Sequence, residues 1–364
     1  MTLHPLSGVY GAALTPLKAD YSLDLDSVPV YLDFLAKRGC HGALLLGTTG
    51  EGPSFSPTER LDLFRAALKV RETHPGFRLL AGTGTPSLTE TADLNRAAFD
   101  LGFDGVVCLP PFYYRKATDE GLFDWFEAVI TRSVPGDKFL LGYHFPAVAG
   151  IGFSVPLLSR LKDAFPVQFA GIKDSSHDAD LAHNLGDLFG HELLVLTGTD
   201  SYLQLAMENQ AGGCITAPAN LISPSLRAVY DAFTQKWDAT EAQKKVTEQR
   251  HILEKYPPFP SALKALDECL ALRRASGERL GVAQVLGEEA EEVDDVLRLA
   301  GEEPAQLLVL GRHPHRAGVQ VALPHHDAAE RNQRRGRKTV FLRSQQRRNH
   351  DIPARLQLAV RLHP

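Results

Sequence analysis

The sequence has no apolar run approaching ~18 residues, so it offers no candidate transmembrane helix. It has only four cysteines, Cys40, Cys108, Cys214 and Cys269. They are widely scattered and fit neither a metal-ligand spacing nor a disulfide framework. The opening stretch MTLHPLSGVYG has no charged region followed by an apolar one, so no secretory signal is expected. A reducing cytoplasm is the expected location. No G-x-G-x-x-G follows an early strand-like run, which weakens a nucleotide-binding reading. His144 and His177 are neither four apart nor grouped with cysteines, so no metal is expected in the core.

What remains is a chain of 364 residues with 44% hydrophobic content, enough for one large domain or two ordinary ones. Its formal charge of −5 hides an asymmetry. Residues 305–364 carry 12 Lys and Arg against 3 Asp and Glu, while residues 1–304 carry 27 and 41. The switch predicts a boundary near Gly301–Pro304. The acidic body argues against nucleic acid as its partner. The basic, histidine-rich tail (301–364) has no sustained helical or strand period. It reads as a disordered tail, a segment in a shifted reading frame, or a nucleic-acid-binding arm.

Along the body, short apolar runs alternate with amphipathic stretches. Strands are predicted at Val9–Leu14, Gly42–Leu46, Arg78–Gly82, Gly105–Leu109, Lys138–Tyr143, Val167–Lys173, Leu193–Thr197 and Gly213–Thr216. The runs are continuous rather than alternating, as in parallel strands covered on both faces. Helices are predicted at Leu25–Arg38, from Ser56, and at Leu88–Leu101, Thr118–Ser133, Ser154–Phe165, Ala179–Phe189, Tyr202–Gln210 and Ser223–Phe233. Ser56-Pro57-Thr58-Glu59 is a capping-box signature. Eight such units within residues 1–235 predict a (β/α)8 barrel, an α/β fold, with a doubly wound open sheet as the rival. Residues 236–300 predict a helical extension (Ala239–Lys255, Ser261–Ala275, Val285–Ala300), packed on the barrel or on a neighbouring subunit.

In such a barrel the reactive groups sit at the C-terminal strand ends. Lys173 ends the sixth strand in AGIKDSS. Burial disfavours the charged form of an amine, and a neutral amine attacks ketones to form a Schiff base. The plainer alternative pairs Lys173 with Asp174 or another acid at the rim. Tyr143 ends the neighbouring strand and is either a proton shuttle beside Lys173 or a buried tyrosine with a satisfied hydroxyl. GTTGE supplies the Thr48 and Thr49 hydroxyls on a turn flanked by Gly47 and Gly50, a candidate carboxylate cradle. No Walker lysine follows it, so a phosphate reading is weaker.

Together GTTGE (47–51), YHFP (143–146) and GIKDSS (171–176) resemble the dihydrodipicolinate synthase/N-acetylneuraminate lyase family. PPFYY, LTGTD and GGCITAPAN support this in order and spacing, and the resemblance runs from Gly8 to Leu299. It implies a (β/α)8 barrel, usually tetrameric, that condenses or cleaves a 2-oxo acid such as pyruvate with an aldehyde. The chemistry would run through a lysine Schiff base, with no separate cofactor and no metal. By resemblance Lys173 forms the imine, Tyr143 moves protons with Thr48 in relay, and Thr48 and Thr49 hold the carboxylate. Gly198 and Ile215 would line the site. Tyr113 or Tyr114 would reach a neighbouring subunit's site, in a homotetramer or dimer.

Two departures narrow the expectation. Where the synthases carry an arginine, two residues after the proline of Tyr-x-x-Pro, this chain has Val148. Where the sialic acid lyases hold sugar hydroxyls, it has Asp200–Ser201 and Ala217, of which Asp200 matches. The expected activity is therefore a class I aldolase or lyase acting on a 2-oxo acid, with a 2-keto-3-deoxy sugar acid as one substrate class. The alternative is 4-hydroxy-tetrahydrodipicolinate synthase or a related dehydratase. A rival from another class is a non-catalytic ligand sensor whose basic tail contacts nucleic acid.

Overall fold

The computed structural model describes residues 3–18 and 20–254. Eight parallel strands close into a barrel in sequence order, with β8 paired to β1. They are β1 (Gly8–Ala12), β2 (Gly42–Leu45), β3 (Arg78–Gly82), β4 (Gly105–Cys108), β5 (Phe139–His144), β6 (Phe169–Asp174), β7 (Leu194–Thr197) and β8 (Gly213–Thr216). Closure rules out the open-sheet rival. The continuous apolar runs are explained by burial on both faces. Tyr10, Leu44, Leu80, Val107, Leu141, Leu196 and Ile215 fill the interior. Val9, Ala43, Leu79, Val106, Leu140 and Cys214 point the other way, into the helix layer.

That layer consists of α1 (Ser27–Lys37), α2 (Pro57–Ala67), α3 (Leu88–Asp100), α4 (Asp119–Ser133), α5 (Pro146–Ala149), α6 (Val155–Ala164), α7 (Ala179–Phe189), α8 (Leu203–Glu208) and α9 (Ala219–Thr234). Outside it, α10 (Thr240–Leu253) packs on α9. The capping box forms as the sequence predicts. Ser56 accepts from the Glu59 N–H, while the Glu59 carboxylate accepts from the Ser56 N–H. Ser87, Thr118, Ser154 and Asp178 each accept from the third N–H of α3, α4, α6 and α7, each cap contributing about 1 kcal/mol.

Most boundaries shift by a residue or two from the sequence reading, and three differences have a clear physical reason. Val167 is 48% exposed and precedes β6, because apolar character alone does not distinguish a strand from its approach loop. Leu46 has φ +54 and turns the chain out of β2, which opens the Thr48 turn. The last barrel helix begins at Ala219 rather than Ser223. Ile222 breaks it, so the expected helix is the second of two merged segments, with Pro224 tolerated near its start. The short helix α5 is not in the sequence reading at all. The helices predicted at Ser261–Ala275 and Val285–Ala300 and the tail at 301–364 lie outside the described residues.

Candidate active site

Lys173 lies in β6, and its register neighbours are Tyr143 in β5 and Leu196 in β7. A regular strand would not place it there. Ala170 faces the barrel interior, so strict alternation would send Ile172 inward and Lys173 out to the helices. The β5–β6 ladder slips between Leu140 and Leu141: Leu140 pairs with Phe169, but Leu141 pairs with Gly171. This bulge adds one residue and reverses the facing beyond it. Ile172 then joins the outer layer, and Lys173 meets Tyr143. Gly171 makes the bulge possible, since a Cβ there would sit 1.9 Å from the Leu194 carbonyl oxygen.

Lys173 is 3% exposed, and its Nζ lies 4.1 Å from the centroid of the Tyr143 ring. It forms no ion pair among the described residues. The adjacent Asp174 instead accepts from the Ser176 N–H at 3.0 Å. The rim-pairing alternative therefore does not hold. The Tyr143 hydroxyl lies 3.4 Å from Thr48 Oγ1. Burial opposes ionisation of this phenol, but the Lys173 charge and hydrogen bonds from Thr48, Lys173 and Ser175 outweigh it. Its pKa lies below the ordinary tyrosine value. Phe145 lies beside it, the two rings tilted and their centroids 5.7 Å apart.

The Thr48 turn is held from several sides. The Gly52 N–H donates to the Gly47 carbonyl, and the Glu51 N–H to the Thr48 carbonyl. Thr15 Oγ1 donates to the Gly50 carbonyl at 2.6 Å. Thr49 is buried on the same turn. Gly198 follows β7, and its N–H donates to the Asp174 carbonyl at 2.5 Å. A Cβ at Gly198 would lie 1.9 Å from Ser175 Oγ, so the turn packs directly behind Ser175. Ile215 is buried in the interior.

The remaining candidates lie apart from this cluster. Asp200 needs a correction. It is fully buried, and its carboxylate Oδ1 accepts from Arg250 Nη1 at 2.8 Å, so it faces α10 and is not offered to a ligand at the mouth. Val148 is exposed on α5, one turn beyond Tyr143. Tyr113 and Tyr114 are 74% and 72% exposed, their rings edge to face. Sequence reasoning overlooks Ser175, although it stands two residues from Lys173. It also overlooks the signal of a glycine inside a strand run. A cavity of ≈ 460 Å³ at the opposite end is lined by Leu6, Arg71, Arg78, Asp104 and Phe139. Both of its arginines are engaged: Arg71 pairs with Asp104, and Arg78 bonds Ser7 and Tyr10.

A buried amine, a phenol whose pKa is lowered and a turn bearing hydroxyls, set at the C-terminal mouth of a (β/α)8 barrel, define a lyase of the class I aldolase type. The chain matches the dihydrodipicolinate synthetase family over residues 5–300, and it belongs to that family. It is 38% identical over 260 residues to an uncharacterized DapA-like lyase of Chloroflexus aurantiacus, covering 71% of this chain and 85% of that protein. It is 30% identical over 223 residues to a 4-hydroxy-tetrahydrodipicolinate synthase of Moorella thermoacetica, covering 61% and 74%. Its fold is similar to that of YagE from E. coli K12, a family member solved with pyruvate. The TM-score is 0.66 at 24% identity, covering 71% of this chain and 87% of that one.

Proposed function

We propose that the protein cleaves or forms a carbon–carbon bond between a 2-oxo acid of the pyruvate type and an aldehyde, through a Schiff base on Lys173. The observation that carries this reading is the placement of Lys173 Nζ against Tyr143, with no acid paired to it among the described residues. The Thr48 turn, with Thr49, Gly47 and Gly50, receives the carboxylate. Gly198 and Ile215 line the cavity around it. The amine adds to the keto carbon, and Tyr143 moves protons as the carbinolamine loses water to give the imine. The protonated imine is the electron sink. In the cleavage direction the hydroxyl of the departing carbon loses its proton to the Tyr143 oxygen and the aldehyde leaves. The resulting enamine is protonated, and water releases the 2-oxo acid. No step calls for a metal or a separate cofactor.

Two further assignments belong to this reading. Tyr113 or Tyr114, exposed beside the mouth, completes the site of a second subunit in a homo-oligomer. The aldehyde is the complement of a 2-keto-3-deoxy sugar acid, because Val148 offers no charge to a semialdehyde carboxylate. The 30% identity to a synthase favours a second reading, condensation with aspartate semialdehyde. Product analysis with that aldehyde and with sugar-derived aldehydes separates the two. The primary test is borohydride reduction in the presence of pyruvate. A stable mass increment on the peptide containing Lys173 is expected. Absence of an adduct across a panel of 2-oxo acids would overturn the reading.

A further inference from the structure

Asp200, freed from a role at the mouth, points to a different one. The turn that carries it (Asp200–Tyr202) follows Gly198 and is held from outside the barrel by α10. Gln243 Nε2 donates to the carbonyls of Asp200 and Ser201 at 3.1 and 3.2 Å. Its Oε1 accepts from the Gln204 N–H at 2.8 Å. Two turns further along α10, Arg250 reaches back to Asp200 and also pairs with Glu254.

We propose that Gln243 and Arg250 are positioning residues for the reaction: they fix the β7 turn, and the turn backs Ser175 and holds the β6 backbone beside Lys173. The inference rests on the Schiff-base reading. Each link is short. Gly198 has no room for a Cβ against Ser175 Oγ, and its N–H is tied to the carbonyl next to Lys173. A displacement of the turn is therefore transmitted to Ser175 rather than absorbed.

The chemistry of the clamp supports positioning over stability. A buried ion pair is a weak source of stability, and packed apolar side chains often do as well or better. Here the pair is incompletely satisfied, because Asp200 Oδ2 has no partner among the described residues. Burial raises the Asp200 pKa against the opposing pull of Arg250, with Glu254 on α10 adding to the rise. Cys214 of β8 also lies within its field. What such a pair supplies, together with the two-sided amide of Gln243, is direction: several bonds of fixed geometry converge on one turn.

The test follows imine formation with pyruvate by timed borohydride quench, in the full chain and in Arg250→Met, Arg250→Lys and Gln243→Leu, with melting curves alongside. Arg250→Met and Gln243→Leu are expected to slow imine formation by on the order of 10- to 100-fold, the scale of a small misplacement of a reacting group. The half-saturating pyruvate concentration stays near the unmutated value, because the Thr48 turn is untouched. Arg250→Lys recovers part of the rate. If folded Gln243→Leu and Arg250→Met form the imine at the unmutated rate, the inference is overturned. If Arg250→Met does not fold, Gln243→Leu, which removes only neutral bonds, decides. An unmutated chain that traps no pyruvate overturns the Schiff-base reading, and this inference with it.

Discussion

Each end of the barrel pairs a tyrosine with a cation, and the two pairs differ in what surrounds the phenol. At the N-terminal floor, the Tyr10 hydroxyl donates to the Leu6 carbonyl at 2.8 Å and accepts from Arg78 Nη1 at 3.0 Å. Burial pushes this phenol up to about 12, against the pull of Arg78. At the mouth, Tyr143 is equally enclosed, yet its pKa falls below the ordinary value. The cation alone does not explain the difference, since both tyrosines have one. The Tyr10 hydrogen is committed to a backbone carbonyl, whereas the groups around the Tyr143 oxygen, Thr48, Lys173 and Ser175, can all donate to it. Donors favour the phenolate, and a carbonyl acceptor favours the phenol. The floor pair braces the barrel, and on the proposed reading the mouth pair exchanges a proton.

The sharpest way to break this comparison is to remove each cation in turn. Lys173→Ala is expected to abolish pyruvate trapping and to lower turnover by on the order of 10⁴- to 10⁶-fold. Arg78→Gln leaves trapping intact. Mass spectrometry of the quenched protein checks both, and loss of trapping in Arg78→Gln would erase the distinction between the two ends. Next are the tyrosines. Tyr143→Phe slows imine formation by roughly 10²- to 10⁴-fold, the usual worth of a positioned proton carrier. Tyr10→Phe leaves the rate alone and costs about 0.5–1.5 kcal/mol of stability in denaturant unfolding.

A pH titration separates the two phenols. Tyr143, depressed in the folded state, contributes stability that is present above the ordinary value of 10 and is lost as pH falls through its folded value. Tyr10, raised in the folded state, contributes stability that is present below 10 and is lost as pH rises toward about 12. Phenolate absorbance should therefore show an early component that disappears in Tyr143→Phe and a late one that disappears in Tyr10→Phe. The reverse assignment would invert the comparison. The smallest effect is expected from Thr48→Val, which removes one hydrogen bond of about 1 kcal/mol, or about fivefold in rate. It should also move the early component upward.

The barrel was legible in the sequence because parallel strands buried on both faces leave continuous apolar runs, and because Ser56 and Glu59 announce a helix start. The central residues were legible because they stand at strand ends. Lys173 lies against the Tyr143 ring and Thr48 within 3.4 Å of its hydroxyl, but Lys173 reaches that place only through the bulge. The failures have a common physical origin in long-range geometry. Asp200 looks like a ligand until Arg250, fifty residues later, is found bonded to it. Val167 looks like strand interior until the pairing shows where β6 begins. The bulge at Ala170–Gly171 exists only in relation to β5, so no pattern within β6 reveals which face the lysine takes.

That bulge has a consequence for how such a site can be gained or lost. The side on which Lys173 emerges depends on whether the strand can bulge before it, rather than on the lysine itself. Removing Ala170 would give a regular strand, with Phe169 outward, Gly171 inward, Ile172 outward and Lys173 still beside Tyr143. A side chain at Gly171 that forbids the bulge at the present length would instead turn the same amine out among the helices, with Tyr143 alone inside the barrel. A single substitution there would silence the enzyme while leaving Lys173 in the sequence, a lesion that inspection of the lysine, tyrosine and threonines alone would miss.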